Sequence, residues 1–210
     1  MGGILAQSSN VGAVTIGLEI GARKFSKWIN RWGFGSQTGV DFPGEEQGIV
    51  LPYSDWSGST IGNVPIGQGI AVTPLQMVSA YATIGNGGVR VTPRLVEKVG
   101  SKRIRGPKAT QVVSKATADR MMSMFRDVVL EGTGTEAAIP GYTVAGKTGT
   151  ANKAENGRYV SKYVASFVGL VPARKPRLAI LVMVDEPRGQ IFGGVVAAPI
   201  FRDIARFALQ

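Results

Sequence analysis

The ten residues GYTVAGKTGT, at positions 141–150, decide which fold the chain can adopt. They match the phosphate-loop pattern G-x-x-x-x-G-K-[ST], in which a glycine-rich turn and a lysine hold the phosphates of a nucleotide. The apolar run 178–184 ends in Asp185, as a magnesium-binding strand of an ATPase would. On these two features alone, the sequence would indicate a nucleotide-binding protein.

The residues around this stretch contradict the nucleotide-binding interpretation. A phosphate loop follows a strand and opens a helix, so that backbone N–H groups at the helix start face the phosphates. Here the β-branched Thr143 and Val144 lie inside the would-be loop, and residues 132–140 do not have the pattern of a strand. Gly149 and Gly157 would interrupt the helix that should follow. We therefore predict that residues 142–150 form a strand and bind no nucleotide.

Patterns on either side of this strand predict the remaining elements. Two further strands are expected at 163–171 and 177–185, joined by the turn 172–176. Helices are expected from residue 11 after a cap at Ser9 or Asn10, and at 22–32, 74–85, 115–130 and 197–209. Residues 36–69 should be largely irregular, 89–99 should form one or two short strands, and 102–108 a basic turn. This order lacks βαβ alternation and predicts an α/β (α+β) fold, with an antiparallel sheet covered by helices.

The composition removes several kinds of catalysis. The chain has 210 residues, 44% of them hydrophobic, which suits one globular domain or a large part of one. It contains no cysteine and no histidine, so Ser-His-Asp and Cys-His catalysis and imidazole metal sites are excluded. We expect no metal and no cofactor. Among enzymes, a serine activated through a lysine becomes a leading option.

The charge indicates an anionic partner or a solvated surface. The net charge is +10, with much of the excess between Arg90 and Arg126. Nucleic acid is not favoured, because we find neither a basic recognition helix nor strands with alternating aromatic and basic residues. Anionic lipid and an anionic wall polymer remain possible partners. The longest apolar stretch is far shorter than the ~20 residues of a membrane-spanning helix.

Residues 147–150 have the chemistry to hold an anionic peptide end. Lys147 supplies a positive charge, and the hydroxyls of Thr148 and Thr150 can donate to a carboxylate. Gly149 has no side chain, so that substrate can approach the strand closely. The alternative is an ordinary solvated edge strand.

A second polar group lies near the start of the chain, at Ser8-Ser9-Asn10. Its simplest interpretation is the cap of the helix that follows. A serine beside a lysine ammonium can also relay protons, and an asparagine amide can fix a peptide group. The order of S-x-N and then K-T-G matches serine acyl-transfer enzymes that recognise penicillin.

With both motifs in place, almost the whole chain resembles the C-terminal part of a class B penicillin-binding protein transpeptidase domain, of the septal cell-division or spore-wall type. Other stretches resemble that family in order and spacing: ILAQSSNVG, RWGFGSQTGVDFPGE, IGQGIAVTPLQMVSAYATIGNGG, VVLEGTGTEAA and VAGKTGTA. The resemblance implies the penicillin-binding protein/β-lactamase-like fold, with a five-stranded antiparallel sheet and helices on both faces. It also implies peptidoglycan D,D-transpeptidation. A D-Ala-D-Ala stem peptide acylates a serine with loss of D-Ala, and the acyl group passes to a neighbouring amine.

The resemblance also implies roles for individual residues. Ser8 would pass a proton to the leaving amine, and Asn10 would bind the peptide group of the substrate. Lys147 would lie close to Ser8 and supply positive potential. Thr148 and Thr150 would bind the terminal carboxylate, and the Thr150 N–H would form half of an oxyanion hole. Asp185 would end a strand and bind no metal.

The chain departs from the family pattern at the nucleophile, which lies in an S-x-x-K motif before the S-x-N element. No serine here is followed three residues later by lysine, and Ser123-Met-Phe-Arg126 is the nearest imitation. We therefore expect residues 1–210 to be the C-terminal portion of one transpeptidase domain, incomplete at the N-terminus. The isolated chain should be inactive and marginally stable, and should seek its N-terminal half or a second copy.

The expected partners are peptidoglycan stem peptides, β-lactams, and division or wall-synthesis proteins. The protein should act at the extracytoplasmic face of the bacterial membrane, held only by an anchor outside these residues. Two alternatives stay open at this point. One is a relative that hydrolyses or senses β-lactams. The other is a non-catalytic module that docks on wall polymer through Lys102, Arg103 and Arg105.

Overall fold

The structure, a computed structural model, describes residues 1–104 and 106–210. Arg105, one of the three expected docking cations, lies outside the described residues. The α-helices are α1 (Gly2–Ala6), α2 (Asn10–Ile20), α3 (Ala22–Trp32), α4 (Thr60–Asn63), α5 (Pro74–Gly85), α6 (Lys115–Leu130), α7 (Gly193–Val196) and α8 (Ala198–Ala208). The strands are β1 (Val89–Val91), β2 (Lys98–Val99), β3 (Lys102–Arg103), β4 (Ala109–Gln111), β5 (Ala145–Glu155), β6 (Arg158–Val171) and β7 (Leu178–Asp185).

The three long strands form one antiparallel sheet in the order β5-β6-β7, so β5 is at an edge. In the β5–β6 ladder Lys147 lies opposite Val168, and in the β6–β7 ladder Phe167 lies opposite Val182. Asn156 and Gly157 turn the β5–β6 hairpin with positive φ angles of 52° and 74°. The predicted strand at the opening stretch, and its antiparallel neighbours, are confirmed.

Helices cover both faces of this sheet, because side chains along each strand alternate in direction. On one face Phe167 packs against Phe201 of α8, with ring centroids 4.8 Å apart. On the other face Leu170 lies against Gly85 of α5, where an added Cβ would come within 3.1 Å of it. Ala145 on this second face belongs to a cluster with Phe125 of α6. The predicted class, a helix-covered antiparallel sheet, is confirmed.

Helix α5 begins with a full capping box. Thr73 Oγ1 accepts from the Gln76 N–H at 3.2 Å, and Gln76 Oε1 accepts from the Thr73 N–H at 3.0 Å. Gln76 is only 3% exposed, and its Nε2 donates to the carbonyls of Ser36 and Gln47. The buried Gln76 amide thus links the irregular segment before α5 to the helix. These hydrogen bonds hold the segment in place although it contains no long helix or strand.

Several expected boundaries were wrong. The main sheet has three strands among the described residues, rather than the five of the complete family fold, and β5 and β6 extend further than predicted. Part of the expected basic turn at 102–108 is strand, since β3 pairs with β2. The strand predicted from residue 142 begins only at Ala145, after Tyr142, Thr143 and Val144. The Tyr142 N–H donates instead to the Ile139 carbonyl at 3.0 Å in a turn. Helix α1 was not predicted, since its two glycines have low helix propensity.

Among residues 1–104 and 106–210, no helix has the length and apolar character needed to cross a bilayer.

Candidate active site

The K-T-G stretch on the edge strand β5 meets the start of the chain. Lys147 Nζ donates a hydrogen bond of 2.8 Å to Ser8 Oγ, which joins residues 139 positions apart. Lys147 is opposite Val168 in the ladder and therefore shares the sheet face covered by α5 and α6. The structure thus brings together two polar groups that lie 139 positions apart in the sequence.

The ammonium of Lys147 has a well-defined environment. Besides Ser8, it donates to the Thr148 carbonyl at 3.2 Å and to Thr148 Oγ1 at 3.3 Å. Three acceptors match the three N–H bonds of a protonated lysine. Burial lowers the pKa of Lys147 from 10.5 to about 8, because desolvation disfavours the charged form. Lys147 is therefore mainly an ammonium at pH 7 and loses its charge within the next two pH units.

Ser8 lies in the short connection between α1 and α2, with a left-handed φ of +53°. Such a conformation is unusual for a residue other than glycine, asparagine or aspartate. It is energetically unfavourable and persists only where surrounding contacts hold the backbone in place. The adjacent Ser9 caps α2, since its Oγ accepts from the Gly12 N–H at 3.1 Å. The capping interpretation of the S-S-N group therefore applies to Ser9, whereas Ser8 is the serine in contact with Lys147. Asn10 is the exposed first residue of α2.

The two threonines of K-T-G-T have different partners. Thr148 Oγ1 lies 2.7 Å from Thr133 Oγ1, in the connection after α6. Thr150 is exposed, and its Oγ1 accepts from the Gly193 N–H at 3.1 Å. Because the Thr150 oxygen accepts there, its own O–H stays available as a donor. Thr133 and Gly193 were not identified from the sequence, although Thr133 lies in the quoted stretch VVLEGTGTEAA.

Gly149 has a packing role in addition to the access for substrate that the sequence indicates. A Cβ at this position would lie 2.5 Å from Ser166 Oγ on the neighbouring strand. The absence of a side chain thus serves the sheet itself as well as the open edge.

Replacing Gly193 with alanine should disturb the site through the backbone. A Cβ there would overlap the carbonyl oxygens of Ser166 and Gly149, which are backbone atoms of the sheet. We expect a loss of about 1–3 kcal/mol in the free energy of unfolding. Urea denaturation checks this, with Gly58→Ala as the control, because a Cβ at Gly58 meets nothing within 4 Å. Equal stability of the two variants would contradict the close packing of α7 on the sheet.

Asp185 ends β7, as expected. Lys153 Nζ donates to it at 3.0 Å and to Glu186 at 2.8 Å. Lys147 lies within a strand rather than at a helix start, which agrees with the rejection of a phosphate loop. Among the described residues, no group of three or more acidic side chains is placed to hold a metal ion.

Comparison with known proteins gives one consistent result. Residues 1–206 match the model of the penicillin binding protein transpeptidase domain. Penicillin-binding protein PbpB of Mycolicibacterium smegmatis is 40% identical over 225 residues, covering 99% of this chain and 35% of the relative. Stage V sporulation protein D of Bacillus subtilis is 40% identical, covering 98% and 33%. Peptidoglycan D,D-transpeptidase FtsI of Escherichia coli is 36% identical, covering 95% and 34%.

The solved structures agree. Penicillin binding protein 3 of Mycobacterium tuberculosis in complex with aztreonam superposes with a TM-score of 0.93 at 39% identity, covering 100% of this chain and 51% of that one. A transpeptidase domain of penicillin-binding protein 3 from Burkholderia pseudomallei gives 0.89 at 34% identity, covering 99% and 63%. The chain therefore spans about a third of the length of these curated relatives and about half to two thirds of the solved chains.

Proposed function

Because this chain belongs to the family of penicillin-binding protein transpeptidase domains, we propose that it is the C-terminal portion of a peptidoglycan D,D-transpeptidase domain and holds most of the substrate-binding site. The observation that carries this proposal is the 2.8 Å hydrogen bond between Lys147 Nζ and Ser8 Oγ. It joins the K-T-G and S-x-N motifs into one polar centre.

In the proposed reaction Ser8 passes a proton to the amine that leaves when the D-Ala-D-Ala bond is cleaved. Its Oγ accepts from the Lys147 ammonium, so the O–H proton of Ser8 is free to point away from the lysine. The nearby positive charge makes that hydroxyl a better proton donor. The proton that Ser8 gives up is replaced by the one removed from the attacking serine.

Thr148 and Thr150 would bind the terminal carboxylate of the stem peptide. Lys147 donates to Thr148 Oγ1 at 3.3 Å and Gly193 donates to Thr150 Oγ1 at 3.1 Å. With Thr133 as the donor in its 2.7 Å contact with Thr148, both threonine hydroxyl protons can turn toward an anion. Hydrogen bonds to a charged acceptor are about twice as strong as neutral ones. The same two hydroxyls would hold the carboxylate of a β-lactam, and the positive charge of Lys147 would attract it.

The remaining roles fall to the strand edge and to α2. The Thr150 N–H would supply half of an oxyanion hole, where one donor is worth about 3–4 kcal/mol of transition-state stabilisation. Asn10, exposed at the start of α2, would bind the peptide group of the substrate. Its amide can donate and accept at once, as a peptide group requires.

The acylated serine is proposed to come from an S-x-x-K segment outside these 210 residues. The exposed face of α2 supports a missing neighbour, since Val11 is 79% and Leu18 58% exposed. These residues are seven positions apart and so share one side of the helix. We propose that the S-x-x-K segment covers this face, and that a second copy covers it when the segment is absent. The site of action is then the extracytoplasmic face of the membrane, where stem peptides are cross-linked.

The adjacent serines provide a matched test. The protein to be tested is the complemented domain, meaning this chain together with an S-x-x-K segment, in one polypeptide or in trans. Ser8→Ala should lower the rate of acylation by a fluorescent penicillin by about 10²-fold to 10³-fold, because the proton relay is lost. Ser9→Ala should lower the free energy of unfolding by about 1 kcal/mol and leave acylation nearly unchanged, because it removes only the cap.

Stopped-flow or gel-based labelling gives the acylation rates, and thermal unfolding gives the stabilities. Ser8→Ala with a normal acylation rate would contradict the relay. A Ser9→Ala variant that stays folded yet loses acylation would shift the role to Ser9.

A further inference from the structure

A row of cations on the exposed side of α3 has no part in the proposed site. The helix reads ARKFSKWINRW and contains no acidic residue. At about 100° per residue, Lys24, Lys27 and Arg31 lie about 100°, 40° and 80° around the helix from Arg23. The four cations therefore occupy one arc of about 100°, and all four are exposed.

The positive surface continues beyond the end of the helix. Arg90 Nη1 donates to the Arg31 carbonyl at 3.4 Å, which brings β1 beside the end of α3. Arg90 and Lys108 line a cleft of about 250 Å³ together with Asn30 and Trp32 at the end of α3. We call the six cations Arg23, Lys24, Lys27, Arg31, Arg90 and Lys108 the basic track.

Among the described residues, none of the six forms a salt bridge. No acidic residue lines the 250 Å³ cleft at one end of the track or the open groove of about 530 Å³ beside Arg23 and Lys24 at the other. Thr38, which lines the cleft, donates its N–H at 2.7 Å to the carboxylate of Glu45, and that carboxylate also accepts from the Gly39 N–H at 3.0 Å. By contrast, Arg103 in the basic hairpin pairs with Glu97 at 3.3 Å. The basic track is therefore a row of cations that has no acidic partner among the described residues.

The shape of the track selects a linear partner. Arg23 and Arg31 are eight residues apart, about 12 Å along the helix axis, and Arg90 extends the row further. A single phosphate cannot contact cations so far apart, whereas a chain of phosphates can contact them in succession and release bound counterions.

A membrane surface does not fit the same helix. An interfacial helix inserts its apolar side into the lipid. In α3 that side packs inside the protein, where Ile29 and Ser26 are buried and Phe25 and Trp32 are half-buried. The guanidinium of Arg31 lies over the Trp28 ring, 5.1 Å from its centroid, and so covers one face of that ring.

We infer that the basic track binds a linear phosphodiester polymer of the cell wall and so holds the transpeptidase domain against the wall. The choice of a wall polymer rather than a nucleic acid rests on the proposed function. Penicillin labelling tests that function separately, because none of the six cations belongs to the candidate active site.

The test measures binding of a fluorescent poly(glycerol phosphate) to the 210-residue chain by anisotropy at several salt concentrations. The double variant Arg23→Gln/Lys27→Gln should bind at least fivefold more weakly at about 0.1 M salt. The plot of log Kd against log salt should also become shallower by about 1.5, as expected for two lost phosphate contacts. The control Lys98→Gln/Lys102→Gln removes the same charge from the exposed β2–β3 hairpin and should change Kd less than twofold. Far-UV circular dichroism confirms that both variants are folded.

Four results would overturn the inference. Equal weakening in both double variants would show attraction by net charge alone. Equal occupancy by inorganic phosphate at the same phosphate concentration would show independent anion sites. Tighter binding to phosphatidylglycerol vesicles would assign the track to a membrane, and tighter binding to single-stranded DNA would assign it to nucleic acid.

Discussion

A fluorescent penicillin should leave no covalent adduct on the isolated 210-residue chain. No serine in the sequence is followed three residues later by lysine. The lysine nearest to Ser8 is Lys147, whose three N–H groups already donate to Ser8 and Thr148, so it holds a proton rather than accepting one. A hydroxyl without a base is a weak nucleophile. The expected difference from the complemented domain is at least ~10³-fold in labelling rate.

Gel fluorescence after incubation with the labelled penicillin checks this expectation. Adding an S-x-x-K segment in trans should restore labelling, and the adduct should then lie on the added segment. Peptide mass spectrometry locates it. A stable adduct on Ser8, or on any other serine of the isolated chain, would show that the nucleophile lies within these 210 residues.

Lys147→Met should lower the acylation rate of the complemented domain by about 10²-fold to 10³-fold, the loss typical of one transition-state donor. The substitution removes the charge beside Ser8 and one contact to Thr148, while the methionine stem keeps much of the buried volume. Lys153→Met is the matched control on the same strand, since Lys153 pairs with Asp185 and Glu186 rather than with Ser8. A similar decrease of the acylation rate in both variants would contradict a specific role for Lys147.

The pH profile tests whether the charge of Lys147 is what matters. Because burial holds the pKa of Lys147 near 8, the ammonium is present below that value and disappears as the pH rises through it. Acylation should therefore decline between about pH 7 and 9. Lys147→Arg should recover part of the rate and lose this decline, since arginine stays charged. A rate that rises through pH 8 in the unsubstituted protein would show that the neutral amine is the active form.

The sequence predicted those elements whose signals are local. Helix α3 has its expected bounds because a strong apolar side ends at Gly33, whose φ of +87° stops the helix. Helix α5 was expected from Thr73 and Pro74, which supply the cap and the first helical residue. The opening stretch was predicted to be a strand because it contains the β-branched Thr143 and Val144 and no strand pattern precedes it, although those two residues lie just before β5.

Features that depend on distant partners could not be predicted in this way. Strands β5 and β6 continue past the predicted ends because each supplies the other's hydrogen bonds, although residues 151–157 have weak strand propensity. The proximity of Ser8 and Lys147 followed from the resemblance to a family and from no spacing within the chain. Gly193 contributes a backbone N–H to Thr150 and packs closely on the sheet because it has no side chain. Neither property can be recognised from a single sequence.

The separation of Ser8 and Lys147 along the chain has a consequence for how the protein folds. Closing a loop of 139 residues has an entropic cost that grows only slowly with length, but contacts between distant residues form late, after local helices and hairpins. The polar centre can exist only once β5 has paired in register and α1 and α2 have docked. A chain trapped before that step has helices and a hairpin but lacks this polar centre. Under the proposed function, binding of a carboxylate ligand would therefore report completed folding. Stopped-flow refolding in the presence of a non-covalent carboxylate ligand would directly follow the docking of α1 and α2 that completes the polar centre.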